Sequence, residues 1–184
     1  MVDHHRVEGR SFGLLADTHD DAVDWPAAVA KIGQALGEVD AIIHCGDLRT
    51  AKAIETLNAI APVWATRNSM DPPAAPPRLL DGPRVLEADG LRLGVVFQLT
   101  GDPVGAELDG TLRFPKLGPR DACKQLFGGP VDVCVFGGTH APVVASAAGT
   151  LFVNPGSPTL AKTRSVGVLT LAGGVASVEI RPVA

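Results

Sequence analysis

Five polar side chains stand where the apolar runs of this chain give way to loop: Asp17, His19, Asp47, Asn68 and His140. Carboxylate oxygen, amide oxygen and imidazole nitrogen are the donors that hold hard or borderline divalent cations, so such a set offers the chemistry of a metal centre. Each residue alone has a plainer use. Asp after a strand closes turns or caps helices, a lone His is usually a hydrogen-bonded imidazole, and Asn tolerates left-handed turns. Their shared position at strand ends makes them one candidate site.

The elements that must position them follow an α/β rhythm. Residues 11–16 (SFGLLA) form a short apolar strand that empties into Asp17-Thr18-His19. Asp24 and Pro26 then open a helix carried by Val29, Ile32 and Leu36 up to Gly37. A second buried strand, 40–44, ends at Cys45-Gly46-Asp47 and leads to a helix over 50–60. A third, 62–66, ends at Arg67-Asn68. Strands alternating with helices imply parallel pairing and right-handed crossovers, with ligands gathered at strand carboxyl ends.

Residues 71–77 hold four prolines and read as a stiff loop at the edge of the fold. A hairpin over 84–88 and 91–99 turns on Asp89-Gly90, making the sheet mixed, and residues 100–118 read as a long loop. A helix over 121–127 precedes a strand over 131–136 that runs into Gly137-Gly138-Thr139-His140. From Val143 the pattern is strand only, at 143–146, 151–153, 165–171 and 175–180, which suggests a second sheet packed on the first.

Length and composition bound the reading. A chain of 184 residues makes one domain, placed at 10–184, with residues 1–9, including His4 and His5, as a flexible lead-in. Hydrophobic residues at 46% and charged ones at 20% support a real core. The net charge of −4 argues against strong nucleic-acid binding. With no apolar run long enough for a membrane span and no apolar leader, no membrane partner and a cytoplasmic location are expected. Cys45, Cys123 and Cys134 lack any C-x-x-C spacing and are expected to be reduced and buried.

In order, Asp17-x-His19, Gly46-Asp47, Asn68, Gly137-x-Thr139-His140 and Asn154-Pro155-Gly156-Ser157 closely resemble the calcineurin-like metallophosphoesterase superfamily. The nearest branch is that of the small bacterial and archaeal phosphodiesterases, and the resemblance spans roughly residues 11–180. It implies a four-layer α-β-β-α sandwich of two mixed sheets carrying two divalent metals, from among Mn, Fe, Zn and Ni, that activate water against phosphorus. Asp17, His19 and His140 match ligands of the first metal, Asp47 the bridging carboxylate, and Asn68 an amide ligand of the second. The Asn154–Ser157 stretch matches a structural motif that orients ligands from behind.

The chain departs from that pattern at three places. The family's Gly-Asn pair is Arg67-Asn68, its strand-ending His-Gly falls on Val96-Phe97-Gln98-Leu99, and the first histidine of G-H-T-H is Gly138. Both lost histidines would serve the second metal. The resemblance therefore implies one firmly held ion and an impaired second position, with Arg67 as the candidate guanidinium for the missing charge. The resulting expectation is a metal-dependent phosphoesterase, hydrolysing phosphodiesters with metal-activated water, with Asp47, Asn68 and Arg67 near the reacting centre of a small phosphorylated substrate.

The alternative is a catalytically inactive member that keeps the sandwich as a binding scaffold, as the retromer subunit of this fold does. His44 reads as a satisfied core imidazole or a donor behind a ligand, and Ser69 as a turn residue. Loops 71–77 and 100–118 are the surfaces where a homo-oligomer contact would be sought.

Overall fold

Alternating side chains within single strands set the layers of this molecule, whose computed structural model describes residues 2–73, 78–107 and 109–184. In chain order the strands are β1 (Asp3–Arg6), β2 (Ser11–Leu15), β3 (Ala41–His44), β4 (Val63–Arg67), β5 (Leu79–Asp81), β6 (Arg84–Ala88) and β7 (Leu91–Gln98). They continue with β8 (Gly105–Ala106), β9 (Leu112–Arg113), β10 (Val133–Gly137), β11 (Pro142–Ala147), β12 (Thr150–Pro155), β13 (Ser165–Ala172) and β14 (Val175–Pro182). The helices are α1 (Trp25–Leu36), α2 (Ala51–Asn58) and α3 (Pro119–Phe127), with a short 3₁₀ turn at Asp20–Ala22.

Two six-stranded sheets carry the fold, ordered β14-β13-β2-β3-β4-β5 and β1-β6-β7-β10-β12-β11. Because successive residues of a strand face opposite sides, each central strand feeds two cores. Phe12, Leu14 and Ile43 of one sheet meet Leu93, Val133, Val135 and Val153 of the other in the central core. Leu15, Ile42 and Val63 face outward onto Ile32, Leu36 and Leu57 of α1 and α2. Cys134 and Phe136 face the other way onto Ala122 and Phe127 of α3. The result is a four-layer α-β-β-α sandwich of two mixed sheets.

Local chemistry sets the helix bounds. The Asp24 side chain accepts the Ala27 N–H, Pro26 sits in the first turn, and α1 stops at Gly37 with φ of +67°. Strands β2, β3 and β4 pair in parallel, so their carboxyl ends share one edge of their sheet. β10 runs parallel to β7 and β12 in the facing sheet.

The structure corrects several expectations. Residues 3–6 are not a loose lead-in: β1 pairs in parallel with β6. Asp3 reaches the buried Arg84 at 3.3 Å, and the His5 ring lies 5.2 Å from that of Trp64. The carboxy-terminal strands do not form a sheet of their own. β11 and β12 extend the β7–β10 sheet, while β13 returns antiparallel to β2 and brings β14 with it. The β6–β7 hairpin belongs to the facing sheet, and β2–β4 gain the short β5 instead. Residues 100–118 contain the two-stranded ribbon β8–β9. Positions 74–77 of the expected proline-rich loop lie outside the described residues.

All three cysteines are free and buried. Among the described residues no helix is long and apolar enough to cross a membrane.

Candidate metal centre

Three loops that leave strand ends converge where the two sheets meet. Asp17 and His19 come after β2, Asp47 after β3, and His140 after β10. Each offers one ligand atom, and those four atoms lie within 4.8 Å of one another. The backbone is bent to achieve this. Among the described residues seven non-glycine positions have positive φ, and five of them are Asp17, His19, Asp47, Arg49 and His140, at +54°, +42°, +62°, +85° and +57°. Left-handed backbone is costly for L side chains and survives where the surroundings enforce it, typically at functional sites.

Glycine makes the close approach between sheets possible. A Cβ at Gly137 would lie 2.5 Å from that of Ala16 and 3.2 Å from Asp17 Oδ2, so only hydrogen fits at this end of β10. The Asp17 carboxylate is fully buried and accepts the Gly138 N–H at 2.8 and 3.1 Å. Burial pushes its carboxyl up to about 7, with the Asp47 charge adding to the rise against the lowering effect of that N–H. His140 is a third exposed, and burial together with nearby His19 holds its imidazole below the usual range, which favours the neutral, ligating form. The rings of His19 and His140 meet edge to face at 5.2 Å.

These residues fit a divalent cation. His19 Nε2 is buried and lies 2.9 Å from Asp47 Oδ2, yet it has no hydrogen-bond partner of acceptable geometry. Burying a polar nitrogen unpaired is unfavourable. A cation among Asp17, His19, Asp47 and His140 would satisfy it through the Nε2 lone pair, with the ring hydrogen on Nδ1 and the Arg49 Nε–H released from that nitrogen, in a mixed nitrogen and oxygen set suited to Mn, Fe, Zn or Ni.

Supporting bonds lock the loops from behind. His44, fully buried, accepts the Gly46 N–H at Nδ1 (3.0 Å) and so presents Nε2 to Thr18 Oγ1 at 3.2 Å, joining the Asp17–His19 loop to the Asp47 loop. Burial depresses its pKa to about 4, which keeps the ring neutral. Both expected readings of His44 thus apply together. Ser157 Oγ donates to the Asp17 carbonyl at 2.8 Å, and Thr159 Oγ1 donates to that of Thr18 at 2.7 Å. Asn154 accepts the Gly156 N–H and donates to Thr139 Oγ1 at 3.0 Å, beside His140.

The other expected residues divide. Asn68 reaches the cluster, but its Nδ2 donates to Asp47 Oδ1 at 3.1 Å while its Oδ1 accepts the Met70 N–H at 2.7 Å. In this arrangement its oxygen faces its own turn and the amide serves Asp47. Arg67 does not join the cluster. Its guanidinium is held by Asp81 and by the carbonyls of Pro72 and Asp71, because adjacent residues of β4 point to opposite sides. Ser69 is an exposed turn residue.

Two site residues escaped the sequence reading. Asp71, buried, accepts the backbone N–H of Asp47, Leu48, Arg49 and Asn68 with its two oxygens. Arg49 lies over the centre: its Nε is 3.2 Å from Asp47 Oδ1 and donates to His19 Nδ1 at 3.2 Å. The one available signal was a basic residue two positions after Asp47 in a strand-end loop.

The strand end that lacks the family's His-Gly and the loop that lacks the first histidine of G-H-T-H are neighbours. Gln98 ends β7 opposite Gly137, and a Cβ on Gly138, whose φ is +83°, would lie 2.7 Å from Gln98 Cβ. One substitution therefore restricts the other.

A sandwich of this layering with an Asp, His, Asp, His cluster at its strand ends defines a metallophosphoesterase-type protein. The chain belongs to the calcineurin-like phosphoesterase superfamily, whose domain model matches residues 11–174. It is 31% identical over 163 residues to a probable metallophosphoesterase of Methanocaldococcus jannaschii, covering 86% of this chain and 73% of that one. The fold is shared with an archaeal phosphodiesterase (TM-score 0.64, 20% identity, 92% of this chain and 99% of that chain). It is also shared with Vps29 of Chaetomium thermophilum (TM-score 0.66, 21% identity, 95% and 97%).

Proposed function

We propose that this chain is a metal-dependent phosphoesterase that cleaves phosphodiesters in a small phosphorylated substrate, working with one firmly held divalent cation. The observation that carries this reading is the convergence of the Asp17, His19, Asp47 and His140 ligand atoms within 4.8 Å, around a buried imidazole nitrogen that has no hydrogen-bond partner. When bound, the cation supplies Lewis-acid polarisation of a phosphoryl oxygen and acidifies water.

The remaining work falls to the chain itself. Asp17 and His19 of the β2 loop, Asp47 of the β3 loop and His140 of the β10 loop would hold the cation. Asp47 is the divided residue: Oδ2 faces His19, and Oδ1 takes the Asn68 amide and Arg49. Asn68 fixes the plane of that carboxylate, and Thr139, held by Asn154, steadies the turn before His140. The phosphodiesterase activity named for the archaeal structural neighbour agrees with this assignment.

The test is metal analysis of the purified protein and then hydrolysis of bis-p-nitrophenyl phosphate with added Mn²⁺. Turnover is expected, and Asp47→Asn is expected to remove at least 100-fold of it. Absence of turnover with every divalent ion would favour the second reading, a catalytically inactive scaffold. The absence of histidine from the strand end at 96–99 and from position 138 is the observation on that side.

A further inference from the structure

We infer that the Arg49 guanidinium is the resident cation on the Oδ1 side of Asp47, and that this chain grips a phosphoryl group with one metal and one arginine. The inference rests on the metal-centre reading above and adds what occupies its second position.

Geometry comes first. A carboxylate that bridges two cations gives one oxygen to each. Asp47 Oδ2 faces His19 at 2.9 Å, and Oδ1 faces Arg49 Nε at 3.2 Å with Asn68 Nδ2 at 3.1 Å. Asn68 Nδ2 is the hydrogen-bond donor on Oδ1, Arg49 meets the same oxygen by charge while its Nε–H goes to His19 Nδ1, and the Asn68 oxygen is taken by the Met70 N–H. Neither the 96–99 stretch nor Gly138 carries an imidazole. What remains there is a guanidinium.

Backbone conformation supports the placement. Arg49 has φ of +85°, and its N–H is fixed by Asp71 Oδ1 at 3.1 Å, which also holds the Leu48 N–H at 2.6 Å. The side chain is thereby turned back over the centre and left one-fifth exposed. Among the described residues its two terminal amino groups form no hydrogen bond, so the fork is available to a ligand. Guanidinium matches phosphate oxygens through two parallel N–H groups.

Charge balance gives the arrangement a purpose. The carboxylates of Asp17, Asp47 and the adjacent Asp71 outweigh one divalent cation, so without Arg49 the centre would present net negative charge to a phosphodiester anion. The guanidinium offsets that charge. Arg67, the arginine singled out from sequence, has its charge met by Asp81 instead.

The experiment counts metal and measures phosphate binding separately. The full chain and its Arg49→Gln and Arg49→Lys variants are given one equivalent of Mn²⁺. Bound metal is counted by mass spectrometry, with excess Mn²⁺ as a second arm for the parent chain, and inorganic phosphate is titrated calorimetrically. The parent is expected to retain one Mn²⁺ per chain even from excess. Arg49→Gln is expected to keep that ion and to bind phosphate at least tenfold more weakly, while Arg49→Lys, with the charge but not the fork, falls between.

Two Mn²⁺ ions per parent chain, loss of the ion from Arg49→Gln, or phosphate affinity within twofold of the parent would each overturn the inference while leaving the metal centre in place. No Mn²⁺ on the parent would overturn both. Should Arg49→Gln fail to fold, Arg49→Lys decides by itself: weaker phosphate binding with the ion retained supports the inference, and unchanged binding overturns it.

Discussion

Asp71 accepts the backbone N–H of Asp47 at 2.8 Å across 24 residues of sequence, and the same oxygen takes the N–H of Asn68 at 2.9 Å. One buried carboxylate therefore sets the relative position of the β3 and β4 loops. Its other oxygen holds Leu48 and Arg49. A side chain with no direct part in ligation fixes the left-handed turn that aims Asp47.

Removing that anchor leaves four backbone donors unmet. Asp71→Ala is expected to cost about 3 kcal/mol of stability, since each lost bond to a charged acceptor is worth roughly 1–3 kcal/mol and part is recovered by water. Urea unfolding measures it. A loss under about 1 kcal/mol would mean the loops hold themselves.

Metal affinity should depend on pH through Asp17. Its folded pKa is raised from 3.8 to about 7, so the stability it lends the metal-free chain is full below 3.8 and is lost as pH rises through 7. A cation needs the ionised carboxylate and displaces that proton. Mn²⁺ affinity is therefore expected to fall up to about tenfold for each pH unit below 7, read by calorimetry between pH 5.5 and 7.5. A flat profile contradicts the role given to Asp17.

His44 acts with the opposite sign. Its pKa is depressed from 6.5 to about 4, so its contribution is present above 6.5 and is lost as pH falls through 4. The stability advantage of the parent over His44→Gln, about 2 kcal/mol at pH 7.5 from the two lost ring bonds, is expected to shrink toward pH 4. Unfolding curves at pH 7.5, 5.5 and 4.5 track it, and a constant difference would show that the ring is not held neutral.

Restoring the lost family histidine at one position alone should fail. Gly138→His must adopt a φ of +83° with its Cβ 2.7 Å from that of Gln98, a cost of about 1–3 kcal/mol. A lowered melting temperature and an unchanged metal count are expected. A second bound ion in this variant would show that the position still accepts an imidazole.

Much of this was legible because strand ends announce themselves. The runs before Asp17, Asp47 and His140 are apolar enough to be buried on both faces, and the first polar residues beyond such strands lie at a carboxyl edge. Other features depend on long-range contact. β1 carries a polar sequence with only its alternate residues half-buried, and it is held by Arg84 and Trp64, about 60 to 80 positions away. Arg49 gets no role from sequence, standing between Asp47 and the helix read over 50–60, since its importance arises from a backbone angle and from Asp71. Arg67 has the better sequence position and the wrong side of its strand.

The most direct measurement is an anomalous difference map from crystals of the full chain grown with Mn²⁺. One strong peak is expected within coordinating distance of Asp17, His19, Asp47 and His140. A map with no peak among those four residues, or with its strongest peak elsewhere on the chain, would contradict the metal centre.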